Sequence, residues 1–299
     1  MTSVLEPKEA GRAPGSLFAI FVFLAITFAA TYAVEVAWLA RGVRFDEADA
    51  KVNFGLFAIM WIPAVAAQLT KRLVSKSAFV RPQLPRPSFI LSSIFLPPLV
   101  FGIIYGLSAA LGWATFDPDL QQMTKTLSAE TAVALPPKFV ILLGTLFASM
   151  TFGLFFTCLG TAGEELGWTG FLLPRLLARL SPLPSAVLYG TIWGLWHAPL
   201  IYGGFNYPGE PLAGIALMCL FCIALAMVQT AVWLRTRTVL ATTLVHASVN
   251  AQARGLWALL FPQATVSVLL GGAAGLVGVV IIAVIGFLWL RFEQRNAVA

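Results

Sequence analysis

The chain has 299 residues, 59% of them apolar and only 11% charged, with a formal charge of +6. A water-soluble domain carries about a quarter charged residues, so this length cannot be one or two soluble domains with solvated surfaces. The positive charge lies in short segments between apolar runs and forms no basic face interleaved with aromatics, which excludes nucleic acid and makes membrane lipid the expected surroundings.

Residues 1–15 are polar, and the apolar run that follows is too long for a removed signal peptide, so it reads as a retained first span. Segments long enough to cross about 30 Å of hydrocarbon then recur along the chain. They are Leu17–Leu39, Phe54–Leu69, Phe89–Leu111, a long stretch from Phe139 towards Leu173, Ser185–Tyr202, Leu212–Leu234, Val239–Leu260 and Val266–Leu290. The fold class is therefore all-α, a polytopic transmembrane bundle of about eight spans. The fourth stretch exceeds one perpendicular crossing, so it is expected to tilt or to begin with an interfacial turn before Phe152.

Loop charges set the orientation. Lys71, Arg72, Lys76, Arg81 and Arg86 follow the second span with no acidic residue between them, whereas Asp117, Asp119 and Glu130 face only Lys125 in the next loop. Arg175 with Arg179, Arg235 with Arg237, and Arg291 with Arg295 return to the basic side, and Gly203–Pro211 falls opposite. Positive segments stay cytoplasmic, so the expectation is a multi-pass protein of the plasma (inner) membrane with both termini cytoplasmic.

Few polar residues interrupt the spans. Glu164 and Glu165 stand in Gly163-Glu164-Glu165-Leu166-Gly167-Trp168-Thr169-Gly170-Phe171. A charge at the bilayer centre costs roughly 2.5–3.5 kcal/mol on insertion scales, so such residues face a cavity and find partners. Neighbours on a helix diverge by about 100°, so the two carboxylates cannot serve the same atom. The two histidines of the chain are both within spans: His197 in Trp193-Gly194-Leu195-Trp196-His197-Ala198-Pro199, and His246 four residues before Asn250, on one helical face with it. At 1.5 Å per residue from the nearest basic ends, Glu164 lies roughly 16 Å and His246 roughly 14 Å deep, with His197 roughly 18 Å from Ser185. All three are expected in the cytoplasmic half or the middle of the bilayer. Glu35 is expected to snorkel to the outer interface, and Gln229 to make an interhelical hydrogen bond. Cys158, Cys219 and Cys222 sit in apolar runs and read as packing residues.

The order Glu-Glu, then aromatic-x-x-x-His, then His-x-x-x-Asn on separate membrane helices resembles the CPBP intramembrane proteases, the CAAX-protease and bacteriocin-processing family. Glu164 and Glu165, Trp193 with His197, and His246 with Asn250 carry the resemblance, which covers roughly 139–255. On that resemblance the chain divides into a cytoplasmic segment 1–15, N-terminal transmembrane helices 16–137, a protease-like core 138–260, and a last helix with a short tail, 261–299. The family pattern carries arginine where this chain has Thr169. The usual partner of Glu165 is thus missing, and Arg254, on roughly the face of His246 and Asn250, is the candidate replacement.

The resemblance implies an intramembrane endopeptidase with Glu164 as general base and His197 helping to hold the attacking water. His246 and Asn250 would donate to the oxyanion, and Glu165 and Trp193 would support them. Two histidines and a glutamate with a bound water also match a catalytic zinc site, so Glu164, His197 and His246 leave a divalent metal open alongside a metal-free mechanism. Substrates implied are membrane-associated or prenylated peptides and proteins. Thr169 keeps one alternative in play, a catalytically weakened member acting as a membrane scaffold or immunity protein. A proton-relaying transporter is the more distant alternative, since no repeat of the kind transporters carry is visible.

Overall fold

The computed structural model describes residues 17–46, 50–75, 84–130, 136–253, 255–262 and 265–296. Among them there is helix and no strand. The helices are α1 (Leu17–Leu39), α2 (Ala50–Ile59), α3 (Ile62–Thr70), α4 (Pro87–Ala110), α5 (Gln121–Glu130), α6 (Lys138–Met150), α7 (Phe152–Gly167), α8 (Leu173–Leu177), α9 (Pro182–Trp196), α10 (Ala198–Tyr202), α11 (Pro211–Thr236), α12 (Val239–Ala253), α13 (Leu256–Leu260) and α14 (Leu276–Asn296). Six helical runs among the described residues are long and apolar enough to cross a membrane: Leu17–Leu39, Val52–Val74, Pro87–Ala110, Lys138–Leu177, Pro211–Thr236 and Leu276–Asn296. Large side chains such as Phe18, Phe54, Leu99, Phe155 and Leu288 stand exposed on the outside of the bundle. In water that surface would be untenable; in lipid it is the solvent-facing side.

Two of the expected spans are shorter than a full crossing, and both carry a histidine. α9 has 15 residues and stops at His197, whose backbone takes φ −83°, ψ −2°. Pro199 lacks the N–H that would continue the ladder, so the chain turns there and restarts as α10. α12 also has 15 residues and gives way near Gly255 to the short α13. The last span starts at Leu276 rather than Val266. Residues 266–275 are turns around Gly272, whose φ of +71° suits glycine, and Ser267 N–H bonds the Trp113 carbonyl at 2.8 Å. The long fourth stretch breaks at Thr151 (φ −121°, ψ −89°), between α6 and α7.

Glycines bring helix backbones into contact at the positions that matter. A Cβ on Gly163 would lie 2.6 Å from the Met60 carbonyl, and one on Gly167 would lie 2.5 Å from Pro63, so α7 crosses the α2–α3 pair without side chains between them. Cβ atoms on Gly190 and Gly194 would come within 2.4 Å of Ile223 Cα and 2.5 Å of Cys219 Cα, which seats α9 against α11. Both pairs are four apart, the small-xxx-small spacing by which membrane helices approach closely. Glu164 and Glu165 sit inside the first pair's turn, and Trp193 inside the second.

The bundle has two unlike rims. At one, Arg235 pairs with Glu293 at 3.0 Å, Lys71 and Arg175 lie within electrostatic reach, and Arg175 covers the Phe171 ring. At the other, Phe45 N–H bonds the Gly203 carbonyl (3.0 Å), Tyr207 Oη bonds the Ala274 carbonyl (2.7 Å), and Lys138 pairs with Asp119.

Candidate active site

α7 and α12 run antiparallel, side by side. Val239 packs near Gly170, the Thr169 and Thr242 hydroxyls meet at 2.7 Å, and His246 falls opposite Glu165. Just past Glu165 the helix widens into a π-helical turn over Trp168–Leu172, a distortion frequent at functional sites.

The two carboxylates part as their 100° separation requires. Glu165 is fully buried and turned away from the cavity, and its oxygens are held from three sides. His246 Nδ1 lies 2.9 Å from Oε1, Gln229 donates to Oε1 at 3.1 Å, and the Thr169 hydroxyl donates to Oε2 at 2.8 Å. Gln229 also donates to the Thr242 carbonyl at 3.1 Å, tying α11 to α12 behind the site. Threonine in the arginine position thus leaves no bare charge, because His246, Gln229 and Thr169 take over the pairing. Arg254, the candidate partner, lies outside the described residues.

Glu164 points the other way. Its Oε2 accepts the Trp193 indole N–H at 3.0 Å, and Trp193 is fixed by stacking on Tyr189, 5.7 Å between centroids and 9° between planes. The Trp193 ring also packs against both imidazoles, with its centroid 5.0 Å from His246 and 6.0 Å from His197. His197 Nδ1 is fixed on the Trp193 carbonyl at 2.8 Å, and its ring meets Trp196 edge-on at 4.8 Å. Asn250 sits one turn beyond His246, its amide nitrogen 3.2 Å from His246 Nε2.

Glu164, Trp193, His197, His246 and Asn250 all line one cavity of about 610 Å³, within the range of ligand cavities, about 300–1,000 Å³. From these residues it extends away from the basic rim, to Asp46, Asn206 and Gly272 at the other. Glu35 does not snorkel. It is 1% exposed and lines the same cavity, because it continues the buried stripe Phe23, Thr27, Thr31 of α1 at four-residue spacing. Trp196 lines the cavity as well, whereas Trp168 packs behind it against Phe23. Of the cysteines, Cys222 is buried and all three are unbonded to one another.

Residues 146–252 match the model described as Type II CAAX prenyl endopeptidase Rce1-like. Over these residues the chain is similar to the CPBP family. A "CAAX prenyl protease 2" of Methanococcus maripaludis is 40% identical over 57 residues, 19% of this chain and 21% of that protein, so the aligned stretch spans about a fifth of the relative. The matched region holds every cavity-lining polar residue of the resemblance and the Gln229 and Thr242 that sequence reasoning left without a role at Glu165.

Among the described residues no three His, Cys, Asp or Glu side chains converge as a metal-binding group. His246 holds Nδ1 on Glu165 and His197 holds Nδ1 on a backbone carbonyl, which turns Nε2 of each ring to the cavity side, where that of His246 meets Asn250.

Proposed function

We propose that the protein is an intramembrane endopeptidase that hydrolyses peptide bonds of membrane-associated or lipidated proteins and peptides. The observation that carries this reading is the meeting of Glu164 (α7), His197 (the α9–α10 corner) and His246 with Asn250 (α12) around one cavity inside the bundle. The relative named a CAAX prenyl protease and the Rce1-like match support the same chemistry.

In this mechanism a water sits between Glu164 and His197. Glu164 takes a proton as the water oxygen bonds to the substrate's carbonyl carbon, and the carbonyl oxygen becomes the oxyanion. His246 and Asn250 face that oxyanion as donors. Glu165 holds His246 Nδ1–H, so the imidazole presents Nε2 to the cavity and, when protonated there, donates from it; the Asn250 amide can interchange its oxygen and nitrogen to match either state. The C–N bond then breaks, and the proton on Glu164 passes to the leaving nitrogen. Preorganised donors in a site of this kind contribute about 10²–10³ in rate each, and positioned acid–base catalysis about 10²–10⁴.

The basic rim of Lys71, Arg175, Arg235 and Arg295 is read as cytoplasmic, with both termini. The cavity opens towards the opposite rim. The substrate would then enter from the outer half of the membrane, which favours a peptide exposed on that side over a prenylated carboxy terminus in the cytoplasm. The weakened-member alternative rests on Thr169; the three partners of Glu165 favour the active reading over it.

The test is cleavage of a membrane-anchored reporter library by purified protein in lipid nanodiscs, with Glu164→Gln as control. Products present with the wild type and absent with Glu164→Gln at equal thermal stability support the proposal; equal product patterns from both would overturn it.

A further inference from the structure

Along the buried stripe of α1, each polar or aromatic residue but the last has a partner. Phe23 packs on Trp168 and Phe171, the Thr27 hydroxyl bonds the Phe23 carbonyl at 2.8 Å, and Thr31 accepts the Trp196 indole N–H at 2.8 Å. Glu35, one turn further, has a buried Oε2 with no hydrogen-bond partner. The position is rigidly set, because Tyr32 Oη also bonds the Leu195 carbonyl at 2.6 Å, pinning this end of α1 to the His197 corner. A buried carboxylate oxygen without a donor is costly. Here it lies at the wall of the cavity that holds Glu164 and His197.

The rest of that wall decides what would satisfy it. Asp46 lines the cavity too, and is paired with Arg44 at 2.8 Å. Among the described lining residues there is no Lys or Arg, and the remaining polar groups are the two histidines, Asn53, Asn206, Asn250, Thr157, Tyr105 and the indole N–H groups of Trp193 and Trp196. Glu35 and Glu164, neither of which has a Lys or Arg ion pair among the described residues, repel a free carboxylate and attract a cation.

We propose that Glu35 is a specificity-determining residue that receives a Lys or Arg side chain of the peptide substrate. This rests on the endopeptidase reading of the cavity. It adds a substrate class: peptides with a basic residue that reaches from the scissile bond to the α1 wall, rather than peptides presenting a free terminal carboxylate there.

The experiment uses full-length protein in nanodiscs and N-acetylated, membrane-anchored peptides in which lysine or norleucine is placed at each position in turn. At one register the wild type should cleave the lysine peptide about tenfold or more faster in kcat/KM, through KM, as a hydrogen bond to a charged group implies. In Glu35→Gln the ratio of lysine to norleucine cleavage at that register should fall to near one, and Glu35→Asp should keep part of it. Since Glu35→Gln removes an unpaired buried charge, its unfolding midpoint should not fall below that of the wild type. A lysine preference that persists in Glu35→Gln, or a wild type with none, overturns the inference. Fluorescence anisotropy of the lysine peptide on Glu164→Gln protein, with and without Glu35→Gln, separates the two readings. Glu35-dependent binding with no cleavage by the wild type sinks the endopeptidase and keeps the cation site. Glu164-dependent cleavage with no charge preference does the reverse.

Discussion

Restoring the family's arginine at Thr169 should damage this protein. Thr169 is fully buried, with its hydroxyl 2.8 Å from Glu165 Oε2 and 2.7 Å from Thr242 Oγ1, and its neighbour Gly170 allows α12 so close that a Cβ there would lie 3.1 Å from Val239. A guanidinium has to displace Thr242 and Gln229, the groups that already satisfy Glu165. Losing a hydrogen bond to a charged group costs about 1.5–3 kcal/mol, and overpacking a tight core costs a further 1–3 kcal/mol or so. An ion pair with Glu165 must first repay the desolvation of a second buried charge. Thr169→Val loses only the hydroxyl bonds, so stability should rank wild type above Thr169→Val above Thr169→Arg. Thermal unfolding in nanodiscs, followed by tryptophan fluorescence, gives the ranking, and Glu164-dependent cleavage gives the functional counterpart. Combining Thr169→Arg with Thr242→Ala and Gln229→Ala should recover part of the loss by making room. A Thr169→Arg protein as stable and active as the wild type would refute the claim that this site has been rebuilt around threonine.

Three more expectations follow from the geometry. Gly190→Leu should prevent stable folding, since even a Cβ would sit 2.4 Å from Ile223 Cα; a monodisperse, wild-type-like elution profile in detergent would count against the close α9–α11 contact. Dialysis against a strong chelator should leave Glu164-dependent cleavage within about twofold of its starting rate, and metal analysis should find no difference between wild type and Glu164→Gln, because no three metal-ligating side chains converge among the described residues. At the non-basic rim, Asp117 accepts the N–H groups of Gln122 and Gln121 at 3.0 Å each, which holds its carboxyl below the ordinary range. Its cap on α5 is therefore intact above the usual carboxylate pKa and lost as pH falls through the lowered folded value. Amide exchange at Gln121 and Gln122, corrected for intrinsic rates, should rise over that window in the wild type and stay flat in Asp117→Asn.

What could be read from the sequence was whatever hydropathy and helical geometry dictate directly. Six of the expected spans recur as long apolar helices, and the divergence of Glu164 from Glu165 and the shared face of His246 and Asn250 follow from 100° per residue. Hydropathy does not see where an apolar helix stops. The break at His197 and the late start of α14 at Leu276 leave the chain as hydrophobic as an unbroken span. Pro199 and the pair Gly271-Gly272 were the available signals. Glu35 was misplaced for a related reason. A carboxylate near a helix end looks interfacial unless its neighbours at four-residue spacing are known to face inward. Gln229 was legible as a hydrogen bonder but not as a partner of Glu165, since 64 residues separate them and only the antiparallel packing of α7, α11 and α12 brings them together.

The two interruptions that hydropathy missed are what make the cavity possible. An unbroken α9 would carry its backbone straight on past residue 197. By ending at Trp196 and turning through Pro199, α9 leaves the His197 ring at a corner, with Nδ1 fixed on the Trp193 carbonyl one turn back and the other edge of the ring free to face the cavity. α12 runs to Ala253, about one turn beyond Asn250, and turns within 266–275 line the same cavity. Backbone groups left over at such ends are tolerated at membrane depth only where they are buried in protein or line a water-filled space. Both helices that hold the histidines therefore stop where water would have to be, and Glu164 reaches the same space from α7 because Gly163 and Gly167 let that helix lie flush against α2 and α3.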